Sequence, residues 1–337
     1  MQKSITVRHS LSIPFNGDLD LLDLLDWRNV YEVYGSPTDI TINNGRSRKN
    51  MAQITTKTLN KAIEICTSND TPFNVLLNAP YYHPDYLYSN ELNDFDEWIL
   101  SVNNSKRLRF TVTLPQIFNR VIKYIGDADI TISKYAQVDS VSKLQRWKDL
   151  GANSVIIGGE ILKNISTIEK MCQYDVTIGI LANDACLLSC PLSIYHPMHS
   201  SSHSTDKTID GYVEYCTDYC KDRFSKNTID IIRATYIRPE DICEYLSIGV
   251  SYVKLVDRNM PTSWIVNVIN AYSNKSYNGN FIDLFPLFVD FNGKYGFPYI
   301  NNKRLKDIFS LQKNHCVNEI CQVSCFCCNE VLSNAMM

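Results

Sequence analysis

Four cysteines set as two C-x3-C pairs, Cys186/Cys190 and Cys216/Cys220, are the residues of this sequence best equipped for chemistry. Thiolates in two close pairs joined by a polar loop can converge on one soft metal centre, an iron–sulfur cluster or a tetrahedral zinc. His196, His199 and His203 lie between the pairs and could act as acid–base groups or substrate contacts. Free cysteine is also a small hydrophobe that is often simply buried. The surroundings argue for ligation: LANDACLLSCPLSIYHPMHSSSHSTDKTIDGYVEYCTDYC, residues 181–220, is rich in Ser, Asp and Tyr, poor company for a packed core.

A second cysteine group lies near the end of the sequence, with Cys316, Cys321, Cys325 and Cys328 as a candidate second metal site and Cys327 beside them. Cys321, Cys325 and Cys328 spell the C-x3-C-x2-C spacing of radical S-adenosylmethionine enzymes. In that family the motif follows the first strand of the barrel, so the tail reads instead as a metal site or a cysteine-rich lid. Nothing resembles a Ser–His–Asp or papain-type setting, since the cysteines stand in metal-like pairs rather than as one isolated nucleophile.

Composition bounds the partners. With 45% hydrophobic and 20% charged residues over 337 positions, the chain has the make-up of a globular protein with ample core. A net charge of −3 argues against a general nucleic-acid binder. The first residues, MQKSITVRHSLSIPF, show no apolar signal-peptide core, and no apolar run approaches the roughly 18 residues of a membrane span. The expectation is a cytoplasmic protein without a membrane partner. In that compartment twelve cysteines read as ligands or free thiols rather than disulfides.

Positioning these residues falls to a regular succession of elements. Short apolar runs at 30–34, 73–77, 108–114, 128–133, 154–157, 176–181, 228–234 and 252–256 read as eight strands. Helical patterns fill most gaps, as at 54–66, 117–124, 141–150 (stopped by Gly151), 165–171 and 239–246. Such alternation predicts an α/β fold, a (β/α)8 TIM-type barrel, possible distortion included, over residues 1–275. It would carry a metal-binding insertion at 183–222 and a C-terminal extension, 276–337, with the cysteine-rich tail. YEVYGSP, after the first predicted strand, contains no G-x-G-x-x-G, which weakens a dinucleotide-binding reading.

In a barrel the strand C-termini form the active face. That face would gather Glu32, Tyr34, Asn78, Asn183, Asp184, Arg238, Lys254 and Arg258. Arg238 opens Arg-Pro-Glu-Asp, where capping explains the acids and the guanidinium could clamp a carboxylate. Lys254 alternates with Val253 and Leu255, so it points away from them and, if interior, needs a partner such as Asp257 or Glu32. Arg46, with Arg48 and Lys49, forms an anion-binding loop or a solvated charge run.

The order of motifs resembles the peptidase U32 family, the collagenase-like "peptidases". The segments that carry the resemblance are NGDLDLLDLL (16–25), VYEVYGSP (30–37), NVLLNAP (74–80), NDACLLSCPLSIYHP (183–197), YCTDYC (215–220), YIRPEDICEY (236–245) and SYVKLVDR (251–258). Relatives in that family include the iron–sulfur UbiU/UbiV-type proteins of oxygen-independent ubiquinone hydroxylation and enzymes that hydroxylate RNA. The resemblance implies a barrel carrying a 4Fe-4S cluster, with Cys186, Cys190, Cys216 and Cys220 as ligands by position and zinc as the alternative metal. It implies an oxygen-independent hydroxylase or related oxidoreductase. Catalytic roles would fall to Asp184, Arg238 and Lys254. Glu32, Tyr34, Arg46, Asn78, Asn183, His196 and Arg258 would bind substrate, including a small carboxylate co-substrate such as prephenate. A peptidase and a non-catalytic accessory protein with a protein partner are the rival expectations.

Overall fold

The computed structural model describes residues 10–40, 43–83, 94–103, 107–204, 213–290, 293–305, 308–314, 316 and 327–336. Eight parallel strands close a barrel in sequence order: β1 (Leu11–Pro14), β2 (Val30–Gly35), β3 (Phe73–Leu77), β4 (Leu108–Val112), β5 (Asp129–Ile132), β6 (Ser154–Ile157), β7 (Thr177–Leu181) and β8 (Tyr252–Lys254). β1 pairs with both β2 and β8, which closes the ring. The expected TIM-type barrel is therefore the observed fold.

Strand alternation divides the core in two. Val33, Val75, Val112, Ile130, Val155, Ile178 and Val253 face outward into the main core beneath the helices. Inside the barrel, Ile156, Leu181 and Tyr252 form a separate apolar layer, with Tyr31 stacked on Tyr252 at 4.1 Å between ring centroids. Gly179 makes room for that layer: a Cβ there would sit 2.3 Å from the Tyr252 ring. The interior also holds polar residues that satisfy one another. Ser12 Oγ donates to Glu32 Oε1 (2.7 Å), Asn74 Nδ2 to Glu32 Oε2 (3.0 Å), and Thr111 Oγ1 to Asn74 Oδ1 (2.8 Å).

The expected number of strands holds, but one member differs. Residues 228–234 are not a strand; they contain the helix Ile229–Arg233. Asp230 drives this turn, accepting from Arg223 Nε and Asn227 Nδ2 at 2.9 Å each while pairing with Arg233 one turn on. The eighth strand is β1, whose four residues, ending at Pro14, are too few to show a period.

The segment between β7 and β8 carries the cysteine pairs. It begins with an antiparallel bridge between Cys186 and Thr235 and contains the helices Tyr195–Ser202 and Tyr215–Lys226. Beyond the barrel, the helix Cys327–Met336 packs against Ile229–Arg233, and Asn301 N donates to Ala335 O at 3.0 Å. Among the described residues no helix is long and apolar enough to cross a membrane.

Candidate active site and metal centre

Strand C-termini and the loops that follow them enclose a cleft of about 570 Å³ over the barrel mouth. Tyr34 comes from β2, Arg46 from the loop after it, Asn78 from beyond β3, Lys134 from beyond β5 and Asp184 from beyond β7. Lys254, Asp257 and Arg258 come from β8 and its continuation. Four cations (Arg46, Lys134, Lys254, Arg258) thus face two carboxylates (Asp184, Asp257), an excess of two positive charges in formal count.

Three of the cations are engaged. Arg46 Nη1 meets Asp257 Oδ2 at 2.7 Å, Lys134 Nζ pairs with Asp184, and Arg258 Nη2 donates to the buried Asn44. Burial opposes the charge on Arg46 and on Lys134, but their neighbours together, Asp257 foremost for Arg46 and Asp184 for Lys134, more than offset it, and both pKa values rise. Burial, with the Arg46 charge added, brings Arg258 down to about 10.

Lys254 is different. It is buried, its Nζ has no hydrogen-bond partner among the described residues, and it lies 3.3 Å from the centroid of the Tyr34 ring. Burial lowers its pKa to about 7, with Glu32 opposing and Arg258 adding to the shift. Neither expected partner bonds it. Asp257 is held by Arg46, and Glu32 lies under the cleft floor, saturated by Ser12, Asn74 and Arg109. Arg109 is shared in turn with Asp129 at 2.7 Å.

Beside this cleft the four cysteines are neighbours. Cys186 and Cys190 lie on the chain leaving β7, which turns through left-handed Ala185 (φ 53°) and Ser189 (φ 52°). Cys216 and Cys220 are buried one turn apart on the helix Tyr215–Lys226, which puts both on one face. Cys190 and Cys220 act on one another side chain to side chain, which lowers the pKa of Cys190 and raises that of Cys220. Cys220 also feels the charges of Cys186 and Cys216. Among the described residues no three His, Cys, Asp or Glu side chains already converge as ligands of one ion. The donor types and their proximity nevertheless fit a soft, thiolate-bound group. Asp184 joins the two regions, accepting from Cys186 Sγ at 3.0 Å while pairing with Lys134.

His196 lies within electrostatic reach of Glu214, Lys134, Asp184 and Arg46, and burial lowers its pKa. His199 and His203 instead join a ring stack with Tyr195 and Tyr215. In the tail, Cys321 and Cys325 lie outside the described residues, while Cys316 and Cys328 both act electrostatically on the buried Tyr236.

Besides Glu32, which lies beneath the cleft rather than in its lining, Arg238 and Asn183 are drawn elsewhere. Arg238 is buried against the C-terminal extension, donating to Asn302 Oδ1 and Asn302 O at 3.3 Å and pairing with Glu240 at 3.1 Å. It holds the extension to the barrel and lines no part of the cleft. Asn183 is spent on backbone: its side chain accepts from Val256 N at 2.7 Å and donates to Val256 O at 2.5 Å and Leu284 O at 3.1 Å. Lys134, Tyr135 and Asn44, all in the cleft wall, were not among the expected residues. Lys134 directly follows the predicted strand 128–133, so the strand-end rule could have found it. Nothing local marks Asn44, whose partner is 214 residues away.

Residues 32–278 match Peptidase family U32, and this span takes in every cleft residue and Cys186, Cys190, Cys216 and Cys220. The chain belongs to peptidase family U32. An uncharacterized protease of Methanocaldococcus jannaschii is 25% identical over 311 residues, 92% of this chain and 90% of the relative. The solved structure of the U32 peptidase Mk0906 superposes with a TM-score of 0.53 at 11% identity, covering 76% of this chain and 96% of that one. At that identity the likeness concerns the fold, a U32 barrel whose mouth in this chain is lined by cations.

Proposed function

We propose that this U32 protein is an iron–sulfur oxidoreductase, an oxygen-independent hydroxylase or a close functional relative, with a small carboxylate such as prephenate as co-substrate. The observation that carries the reading is the position of Asp184, bonded on one side to a thiol of the cysteine group and on the other to a cation of the cleft. Cys186, Cys190, Cys216 and Cys220 would hold a 4Fe-4S cluster, which when bound supplies electron transfer tuned by its surroundings. Zinc in the same thiolates is the rival occupant.

The rest is the work of the chain's own side chains. Arg46 and Arg258 offer planar donor forks that orient a carboxylate, and Asp257 and Asn44 keep those forks in place. Lys134 and Asp184 hold a proton between the cysteines and the cleft. Tyr34 and Leu181 form an apolar floor that limits water.

Calorimetric titration of cluster-loaded protein with prephenate under nitrogen tests this. Arg258→Lys keeps the charge but loses the fork, and should weaken binding roughly ten- to a hundredfold. Equal affinity would remove Arg258 from the site, and no binding of any small carboxylate would overturn the co-substrate reading in favour of an accessory protein. The name of the archaeal relative favours a second reading, peptide hydrolysis. That reading predicts peptide cleavage that survives Cys190→Ser.

A further inference from the structure

Among the residues of the cleft, Lys254 is a buried nucleophile that the reading above does not use. It is 7% exposed and presents an amine with no hydrogen-bond partner among the described residues. The other cleft cations are anchored by Asp257, Asp184 or Asn44, whereas Lys254, among the described residues, rests on the face of Tyr34. The Tyr34 hydroxyl is itself committed to Leu255 O at 2.6 Å.

We propose that Lys254 captures the carbonyl group of a small α-keto carboxylate as a covalent imine. The Nζ lone pair forms a bond to the carbonyl carbon, and the C=O π electrons move to oxygen. One N–H proton passes to that oxygen to give a carbinolamine. Loss of the hydroxyl with the second N–H proton, as water, leaves the imine. Carbon is neither oxidised nor reduced, so no further reactant is needed. Arg46 and Arg258 lie in the same cleft to receive the carboxylate next to the carbonyl. This choice of ligand rests on the carboxylate reading above, whereas the nucleophile itself does not.

Every charged group facing the amine bears on its proton. Glu32 from below favours the ammonium, and Arg258 from beside it disfavours it. Across the cleft Arg46 and Lys134 are each balanced by their own carboxylate. The Tyr34 face attracts a cation and offsets part of the effect of burial, which still acts as the larger influence on the amine. At pH 7 an amine of pKa about 7 is half neutral, whereas an exposed lysine near 10.4 is neutral in fewer than about one molecule in a thousand.

The test is reductive trapping of the full-length protein with pyruvate and cyanoborohydride at pH 7, read by intact mass and peptide mapping. The expected result is a single adduct on Lys254, absent from Lys254→Arg and Lys254→Met, with labelling half-maximal near pH 7. Mapping of the wild type decides the site even where a variant folds poorly. Adducts confined to exposed lysines, or labelling of position 254 that rises only near pH 10, would overturn the proposal. Two further arms separate it from the carboxylate reading. Propionaldehyde labelling Lys254 where pyruvate does not would sustain the nucleophile and refute the carboxylate site. Calorimetric binding of propionate without any adduct from pyruvate would do the reverse.

Discussion

Replacing Lys254 by methionine should stabilise the protein, and the gain should depend on pH in a calculable way. In the folded chain the amine has a pKa of about 7, set first by burial. In the unfolded chain it is near 10.4. Below the unfolded value the unfolded chain binds a proton that the folded one holds less readily, so folding loses free energy as pH falls from about 10.4 to 7. The cost is about 4 kcal/mol at pH 7, about 1.3 kcal/mol at pH 9.5, and close to zero above pH 11. Methionine has a similar length and no charge to desolvate, so Lys254→Met should recover most of this sum. Urea unfolding of both proteins, monitored by circular dichroism at pH 7 and pH 9.5, measures it. An advantage of several kcal/mol that shrinks by about 3 kcal/mol between the two pH values is expected. A pH-independent difference, or a destabilised variant, would show that Lys254 is charged and paired in the folded protein.

The other expectations follow from single contacts. Arg238→Lys should leave prephenate affinity unchanged and cost roughly 1–2 kcal/mol of stability, because the guanidinium anchors Asn302 and Glu240 rather than a ligand; calorimetry and urea titration separate the two effects. Asn183→Ala strips partners from both backbone groups of Val256 and should cost roughly 1–3 kcal/mol by urea unfolding. Gly179→Ala drives a methyl into the Tyr252 ring and should cost roughly 1–3 kcal/mol or more, recovered when combined with Tyr252→Leu in a double-mutant cycle.

Much of this architecture is legible in the sequence because buried parallel strands are short apolar runs with helices between them. The runs beginning at Val30, Phe73, Leu108, Ser154 and Tyr252 fall on strands, and their ends locate Tyr34, Asn78, Lys254 and Arg258 at the cleft. Residues 228–234 look no different as a run; what makes them a helix is Asp230, caught by Arg223 and Asn227. The rule that strand ends carry the chemistry also gives a position without an orientation. Arg238 and Asn183 occupy such positions, yet packing on Asn302 and on Val256 takes their donors. Asp184 shows the opposite case: its double contact with Cys186 and Lys134 joins residues 50 apart, a link no local pattern encodes.

We propose that Cys186, Cys190, Cys216 and Cys220 bind an iron–sulfur cluster beside the cation-lined cleft. Iron, zinc and acid-labile sulfide measured on anaerobically purified protein, with Cys190→Ser alongside, test it most directly. Iron and sulfide in equal amounts are expected in the wild type, with broad absorption that disappears in the variant. Stoichiometric zinc without sulfide, or iron and sulfide unchanged by Cys190→Ser, would contradict it.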